Sequence, residues 1–364
     1  MCAQNVASIK VKRLFRLNSR PKRTRSLINI ALDAMGGDTI PSINLEGAYL
    51  AAKEFNISIT LVGQEEILTP FIEKYHDWPY DKISIQHATD IVGMAESPSQ
   101  SFRKKKNSSI RIGLDLVKKK ICHGFVSAGN TGAVMASAIF VLGRLPHVDR
   151  PALAAIIPSE KEKYVILDVG SSVDCKASHL SEFAIMGNSF AKHVLGIATP
   201  RVGLLNIGEE ADKGNALTQE TTPLLENGPF NYIGNVEGKD LTKGCVDVVI
   251  CDGFIGNNIL KFGEGIVGLF KSFFKREATS SLLSAIGLFL LKPAFKRFKA
   301  SFDYDEYGGG HLLGVNGVTI VAHGSASATA IKNAINVAKI AYERRLVQEI
   351  ECCLEKSKET IPSR

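Results

Sequence analysis

An α/β fold on a mostly parallel sheet, with helices on both faces, follows from three features of this 364-residue sequence. Short β-branched or apolar runs alternate with longer stretches of helical periodicity. That alternation is the pattern of parallel crossover units. Polar, glycine-bearing loops follow many of the runs, where an open α/β sheet places its ligands.

The first strand, 27–32, carries Leu27, Ile28, Ile30 and Leu32 and stops at Asp33-Ala34-Met35-Gly36-Gly37-Asp38. Adjacent glycines open backbone conformations closed to other residues and allow close approach to a ligand. A helix at 42–54, a strand at 57–62, a helix at 64–74 and a strand at 82–86 come next. Asn107-Ser108-Ser109 supplies capping hydroxyls for a helix over 107–120, after the basic run Arg103–Lys106. The strand 123–127 leads into Ser127-Ala128-Gly129-Asn130-Thr131-Gly132 and a helix over 131–142. Strands at 152–157 and 164–168 precede a helix over 178–195. The strand 201–206 runs into Asn206–Gly214 and a helix over 215–226. Strands at 230–234 and 246–251 precede helices over 256–275 and 280–299. A strand over 317–322, ending at His323-Gly324-Ser325, and a helix over 325–350 complete the series.

With 45% hydrophobic and 22% charged residues, the chain suits one large or two medium domains. Residues 27–350 are assigned to a single α/β catalytic domain, with a basic, disordered extension at 1–26 and a tail at 351–364. The net charge of +7 misleads, because residues 1–27 hold eight Lys and Arg and no acid. The remainder balances 36 basic against 37 acidic residues, so nucleic acid is not indicated as a partner. Seven cysteines without a C-x-x-C spacing point to a reduced, cytoplasmic protein without structural zinc. The uncharged stretches 124–143 and 312–331 mix in Ser, Asn, Thr and Gly and do not read as membrane spans. The basic extension is like a transit peptide, or a start codon assigned too early.

A glycine loop feeding a helix offers free N–H groups and the positive end of a helix dipole, which hold an anion. Parallel strands would gather several such loops at one edge, lining one cleft. Gly36, Gly37, Ser127, Gly129, Asn130, Thr131, Asn206, Gly214, Gly253 and Gly256 are the candidates for substrate or phosphate binding. Asp33, Asp38 and Asp252 are assigned to orienting the loops, since carboxylates repel phosphate. Lys213 can neutralise phosphate or a developing oxyanion, or it can pair with Glu209, Glu210 or Asp212. Asn257 can donate to an oxyanion or cap its helix. His311 and His323 fit structural and general-base roles equally.

Gly263-Glu264-Gly265-Ile266-Val267-Gly268 spells G-x-G-x-x-G but lies within a helix, which suits close helix packing rather than a dinucleotide. His76–Asp81 carries the H-x4-D spacing of glycerolipid acyltransferases in a Pro-containing loop, a chance match. No G-x-S-x-G, H-E-x-x-H or Walker pattern occurs.

The segment 266–302 reads as an inserted amphipathic helical hairpin. Leu283, Ile286 and Phe289 sit among Lys271, Lys275, Arg276, Lys292, Lys296 and Arg297. Its uncharged run, 278–291, is too short to span a bilayer. Apolar surface flanked by cations suits a helix lying in a membrane interface or docking an acidic protein. A core or dimer helix is the plainer alternative.

Together these segments resemble the acyl-(acyl carrier protein):phosphate acyltransferases, the PlsX family. The matches are IALDAMGGD from Ile30, RKKKNSSI from Arg103, SAGNTGA from Ser127, NIGEEADKGN from Asn206, VDVVICDGFIGNNILK from Val246, YGGGHLLGVNG from Tyr307 and AHGS from Ala322. They span the chain after residue 27 in the family's order. The resemblance implies a three-layer α-β-α sandwich related to phosphotransacetylases and isopropylmalate-type dehydrogenases. It implies transfer of a fatty acyl group from acyl carrier protein to inorganic phosphate, giving acyl phosphate for phospholipid synthesis. No metal or cofactor, a homodimer and peripheral attachment to the inner face of the cell membrane are further implications. Phosphate would attack the thioester directly, with Lys213 and the amides near Gly36, Gly37 and Gly129 holding anions and Asn257 meeting the oxyanion. The alternatives are an acyl-CoA-dependent, phosphotransacetylase-like enzyme and a membrane-associated lipid-binding protein without catalysis. The chain departs from the family pattern in its basic extension, in Ser171-Ser172 for Ala-Asn and in Gly310-His311 for Ala-Pro.

Overall fold

The computed structural model describes residues 27–278 and 304–360, with positions 281, 284, 287, 289–291 and 293 between them. The strands are β1 (Ile28–Asp33), β2 (Ile57–Gly63), β3 (Ile83–His87), β4 (Gly124–Ser127), β5 (Ala152–Pro158), β6 (Lys163–Leu167), β7 (Arg201–Leu205), β8 (Asn231–Val236), β9 (Val248–Ile250), β10 (Gly310–Leu313) and β11 (Val318–Val321). The helices are α1 (Ser42–Glu54), α2 (Glu65–Ile72), α3 (Pro98–Lys104), α4 (Ser109–Lys118), α5 (Thr131–Val141), α6 (Ala177–Phe190), α7 (Ala216–Glu226), α8 (Gly253–Ala278), α9 (Tyr304–Tyr307), α10 (Ala328–Glu343) and α11 (Leu346–Thr360).

These eleven strands make one sheet in the order β3-β2-β1-β4-β11-β10-β5-β6-β9-β7-β8. Seven of its ten pairings are parallel, so the sheet is mostly parallel as expected. The other three, β11 with β10, β10 with β5 and β5 with β6, are antiparallel. Three successive reversals turn β6, β9, β7 and β8 against β3, β2, β1, β4 and β11. The expectation that all carboxyl ends share one edge is therefore corrected.

The register brings the two sets of ends together in another way. One row of paired residues crosses the sheet through Leu32, Val126, Ile320, His311, Ala154, Leu167, Ile250 and Leu204. Leu32, Val126 and Ile320 each stand one residue before the end of their strand, and Leu167 and Ile250 end theirs. Two opposed sets of strands thus terminate at the same level, on either side of β10 and β5.

Side chains of one strand alternate between faces. The apolar members of that row join α1, α6 and α10 in one buried cluster. Their neighbours Ala31, Phe125, Val321, Leu153, Ile166 and Val249 face α4 and α5, with α8 against the same side. Burial of both faces explains why central strands such as β5 and β9 are apolar runs, whereas the edge strands β3 and β8 carry exposed residues.

Several boundaries differ from the sequence expectation. The helix expected over 325–350 is two, broken at Arg344-Arg345, where Arg345 takes a left-handed φ of 54°. Residues 351–360 are not a tail but the rest of α11, with Leu354 buried against the core. Strand β10 and helix α3 were not anticipated. In the 266–302 segment, α8 runs unbroken to Ala278 and includes Lys271, Lys275 and Arg276. Leu269, Phe270 and Phe273 on it are exposed, as is Phe289. Leu283, Ile286, Lys292, Lys296 and Arg297 lie outside the described residues. Gly265 and Gly268 sit mid-helix as expected, and among the described residues nothing lies within 4 Å of a Cβ placed on either. Among the described residues no helix is long and apolar enough to cross a membrane.

Candidate active site

A cavity of about 390 Å3 opens where the two sets of strand ends meet. Its floor is β5 and β10, through Leu153, Ala155, Ile156 and Gly310. Thr131, Ala322 and His323 bound it on the β4–β11 side, and Val169, Gly170, Asn257, Lys261 and Glu264 on the β6–β9 side.

The loops after β1 and β4 are set by a buried acid, and Gly36, Gly37, Ser127 and Gly129 in them are not among the residues lining the cavity. Asp33, 1% exposed, accepts from Met35 N–H (3.0 Å) and Ser127 Oγ–H (2.7 Å). Ser127 Oγ in turn accepts from Gly129 N–H at 3.0 Å. Burial pushes the Asp33 carboxyl above the usual carboxylate range, opposed by hydrogen bonds from Ser109, Ser127 and Met35. Asp33 thus ties the start of its own loop to the end of β4. Gly36 is required there by contact: a Cβ would lie 2.5 Å from Asp33 Oδ2 and 2.7 Å from the Gly129 nitrogen. Gly37 follows with a φ of 112°. Asn44 on α1, which the sequence did not flag, donates to the carbonyls of Ala34 (3.2 Å) and Gly36 (2.8 Å) and pins this turn. Asp38 is exposed and ties its N–H to the Gly324 carbonyl at 2.9 Å.

Asn130 caps α5, accepting from Ala133 N–H at 3.0 Å. Its amide donates to the carbonyls of Met94 (2.8 Å) and Glu96 (2.9 Å), so both ends of the side chain already have protein partners. Thr131, the next residue, does reach the cavity. His323 Nδ1 accepts from Ser325 N–H at 3.2 Å, which leaves the proton of a neutral ring on Nε2.

The β6–β9 wall turns on Asp168, which sequence reasoning missed. It is fully buried and accepts from the N–H groups of Leu153 (2.9 Å), Gly170 (3.2 Å), Ser171 (3.0 Å) and Ser172 (2.7 Å) and from Ser171 Oγ–H (2.7 Å). Burial raises its pKa and these donors lower it. Ser171 and Ser172, the departures from the resembled pattern, thus fold the loop around the acid. The legible signal was the parallel between Asp168 and Asp33, each an acid closing an apolar strand before a glycine.

Asp252 caps α8 by accepting from Ile255 N–H at 2.9 Å. Gly256 lets the first turn of α8 lie against the Asp168 loop, where a Cβ would fall 1.9 Å from the Asp168 carbonyl oxygen. Gly253 meets the same loop, its N–H donating to Ser172 O at 2.8 Å. Both glycines serve this packing, and neither is among the residues lining the cavity. Asn257 does line it, and Leu260, Lys261 and Glu264 follow on the same face of α8 at helical spacing. Lys261 and Glu264 were not anticipated.

Lys213, Asn206 and Gly214 stand elsewhere. Their loop leaves β7, separated from β6 by β9, roughly 10 Å away at the usual strand spacing. Asn206 donates to the Lys213 carbonyl at 3.1 Å and accepts from Ile207 N–H at 2.8 Å, closing the loop on itself. Lys213 is exposed, and among the described residues its ammonium has no ion pair.

His311 lies in the row that faces away from the cavity. It is 1% exposed, packs edge-on against Phe190 at 4.6 Å, and its Nε2 has no partner among the described residues. Burial lowers its pKa to about 3. Cys175 and Cys251 lie beneath the Asp168 loop, bonded to the carbonyls of Ser172 and Asp168. Burial raises the Cys175 thiol to about 11 and that of Cys251 well above its usual value, so neither is a thiolate at neutral pH. Among the described residues no group of three His, Cys, Asp or Glu side chains is placed to hold a metal ion.

The fold and the cleft define a class of α/β protein. A phosphotransacetylase from Streptococcus pyogenes overlays with a TM-score of 0.56 at 16% identity, covering 88% of this chain and 94% of its own. The EutD phosphotransacetylase from Staphylococcus aureus gives 0.54 at 16%, covering 86% and 94%. A 4-hydroxythreonine-4-phosphate dehydrogenase from Klebsiella pneumoniae gives 0.51 at 12%, covering 87% and 100%. At such identities the likeness is one of fold. Sequence narrows the class: residues 28–349 match the model of the fatty acid synthesis protein family, and the chain belongs to that family. A phosphate acyltransferase from Geobacter sulfurreducens is 48% identical over 328 residues, 89% of this chain and 94% of the relative. Those of Pelobacter propionicus and Pelotomaculum thermopropionicum are 50% and 47% identical, over 88% and 90% of this chain.

Proposed function

We propose that the chain is a phosphate acyltransferase that moves a fatty acyl group from the thioester of acyl carrier protein to inorganic phosphate. A phosphate oxygen adds to the thioester carbonyl, the C–S bond breaks, and acyl phosphate and the carrier thiol leave. Phosphate brings its own nucleophilic oxygen, so no protein nucleophile is needed. The observation that carries this reading is the mixed character of the cleft. Leu153, Ala155 and Ile156 on its floor and Leu260 on α8 suit an acyl group, while Asn257, Lys261, His323 and Thr131 at the sides, beside the single acid Glu264, suit anions. Relatives named phosphate acyltransferase, near half identical over most of the chain, support the same chemistry.

The site must hold phosphate and a tetrahedral oxyanion close together. Asn257 is assigned to the oxyanion and Lys261, in the cleft itself, to phosphate; Lys213, on the β7 loop outside the cavity, is a further candidate cation for phosphate. Preorganised donors of this kind act where charge develops in the transition state. The exposed cations Lys275 and Arg276 on α8 suit an acidic protein partner, the role proposed for acyl carrier protein. The exposed Leu269, Phe270 and Phe273 on the same helix support peripheral contact with a membrane, or burial in a homodimer. An acyl-CoA donor is the second reading, favoured by the phosphotransacetylase-like fold. Phosphate-dependent thiol release, measured with acyl carrier protein and coenzyme A thioesters side by side, tests both. Faster release from the carrier protein is expected; release from neither donor would overturn the assignment.

A further inference from the structure

A second cavity, of about 400 Å3, opens where β4 and β11 begin, at the end opposite the cleft. Its polar lining is Lys118, Lys120, His123, Asn316, Tyr342 and Gln348, set over an aliphatic floor, and none of its lining residues is acidic. Lys119 pairs with Asp115 at 2.6 Å, whereas Lys118 and Lys120 on either side have no ion pair among the described residues. Lys120 holds a left-handed φ of 59°, a conformation that glycine usually takes at the end of a helix. A lysine kept there, at the cost of backbone strain, is a pointer to a use for its side chain. Tyr342 is 40% exposed and leans its ring on the His123 imidazole, 4.4 Å between centroids. His123 Nδ1 accepts from Asn29 N–H at 2.9 Å, so its neutral ring carries a donor at Nε2.

We propose that this cavity binds a nucleoside phosphate. The two unpaired ammonium groups meet the phosphate, the Tyr342 ring stacks on the base, and the amides of Asn316 and Gln348 are positioned for base edges. Six of the thirteen lining residues are polar or charged, which suits such a ligand better than an acyl chain. The site is separate from the cleft but built on the same elements. Helix α5 with its C-terminal cap Leu142, strand β11 and helix α10 touch the cleft through Thr131, Val321 and Ala330 and the second cavity through Leu142, Val318 and Ala341.

Calorimetric titration of the full chain with AMP, ADP and ATP tests this, with inorganic phosphate and palmitate as comparison ligands. The second sample is Lys118→Ala with Lys120→Gly, in which glycine relieves the strained backbone while the charges go. Saturable binding of at least one nucleotide is expected, weakened about tenfold or more in that double variant. Tyr342→Ala should weaken the nucleotide but not inorganic phosphate. No binding at millimolar nucleotide, affinity no better than that of inorganic phosphate, or affinity unchanged in the double variant would each overturn the proposal.

Discussion

His311 gives a prediction whose size follows from its surroundings. Its ring is buried against Phe190, and its pKa is lowered to about 3 from an ordinary 6.5. The folded-state value lies below the unfolded one. As pH falls, the unfolded chain takes up this proton first, so the stability is complete above about pH 6.5 and declines toward pH 3. At about 1.4 kcal/mol per pH unit, the loss due to this one residue at pH 5 is about 2 kcal/mol. That is a large part of the roughly 5–15 kcal/mol that stabilises a typical domain. Urea unfolding of the wild type and of His311→Leu, at several pH values from 8 to 5, measures it. Leucine fills similar volume and removes the titrating group, at a cost of about 1.5 kcal/mol or less near pH 8. His123 and His179 are also shifted down by burial and lose stability in the same sense, but they cancel in the comparison. The gap between the two proteins should shift in favour of the variant by about 2 kcal/mol on going from pH 8 to pH 5. A gap that does not move with pH would refute the reasoning. Because the ring faces away from the cleft, the variant should also keep its acyl transfer.

Asn257→Ala removes the assigned oxyanion donor and should lower kcat by about 10²–10³, read as acyl phosphate formed per unit time. Lys213→Ala should lose activity chiefly through phosphate; near-normal synthesis would remove that lysine from the mechanism. Gly256→Ala puts a Cβ 1.9 Å from the Asp168 carbonyl oxygen and must push back the turn that carries Asn257. It should cost about 1–3 kcal/mol in urea unfolding, with an activity loss larger than the unfolded fraction explains. Replacing Leu269, Phe270 and Phe273 together by serine should release the protein from anionic vesicles, and unchanged sedimentation with vesicles would reject the membrane contact.

Legibility in the sequence followed the range of the interactions involved. Strands β1, β2 and β4 stood out because buried Ile, Leu, Val and Phe dominate them, interrupted before their ends only by Asn29, Ser58 and Thr60. The loop after Asp33 was legible because its two glycines have a local cause. Strand β10 was not: four residues inside a glycine-rich stretch carry no period, and only pairing with β11 and β5 makes them a strand. The reversal of the β6–β8 half was hidden for the same reason, since strand direction depends on partners far along the chain. The break at Arg344-Arg345 has neither glycine nor proline to announce it. In the cleft, Asn257 was found by its position after Asp252-Gly253. Lys261 was missed because a charged residue one turn further along an exposed helix looks solvated until its face is known. Gly253 and Gly256 were marked from the sequence for ligand binding, and their contact with the Asp168 loop was invisible because that loop lies about eighty residues away in the chain.

The central claim is that phosphate itself attacks the thioester in this cleft. Its most direct measurement is the appearance of acyl phosphate and free carrier thiol when inorganic phosphate is added to the protein and acyl-loaded carrier. Equal amounts of the two products, rising together with phosphate to saturation, are predicted. Thiol released at the same rate without phosphate, or with free fatty acid as the only acyl product, would contradict it.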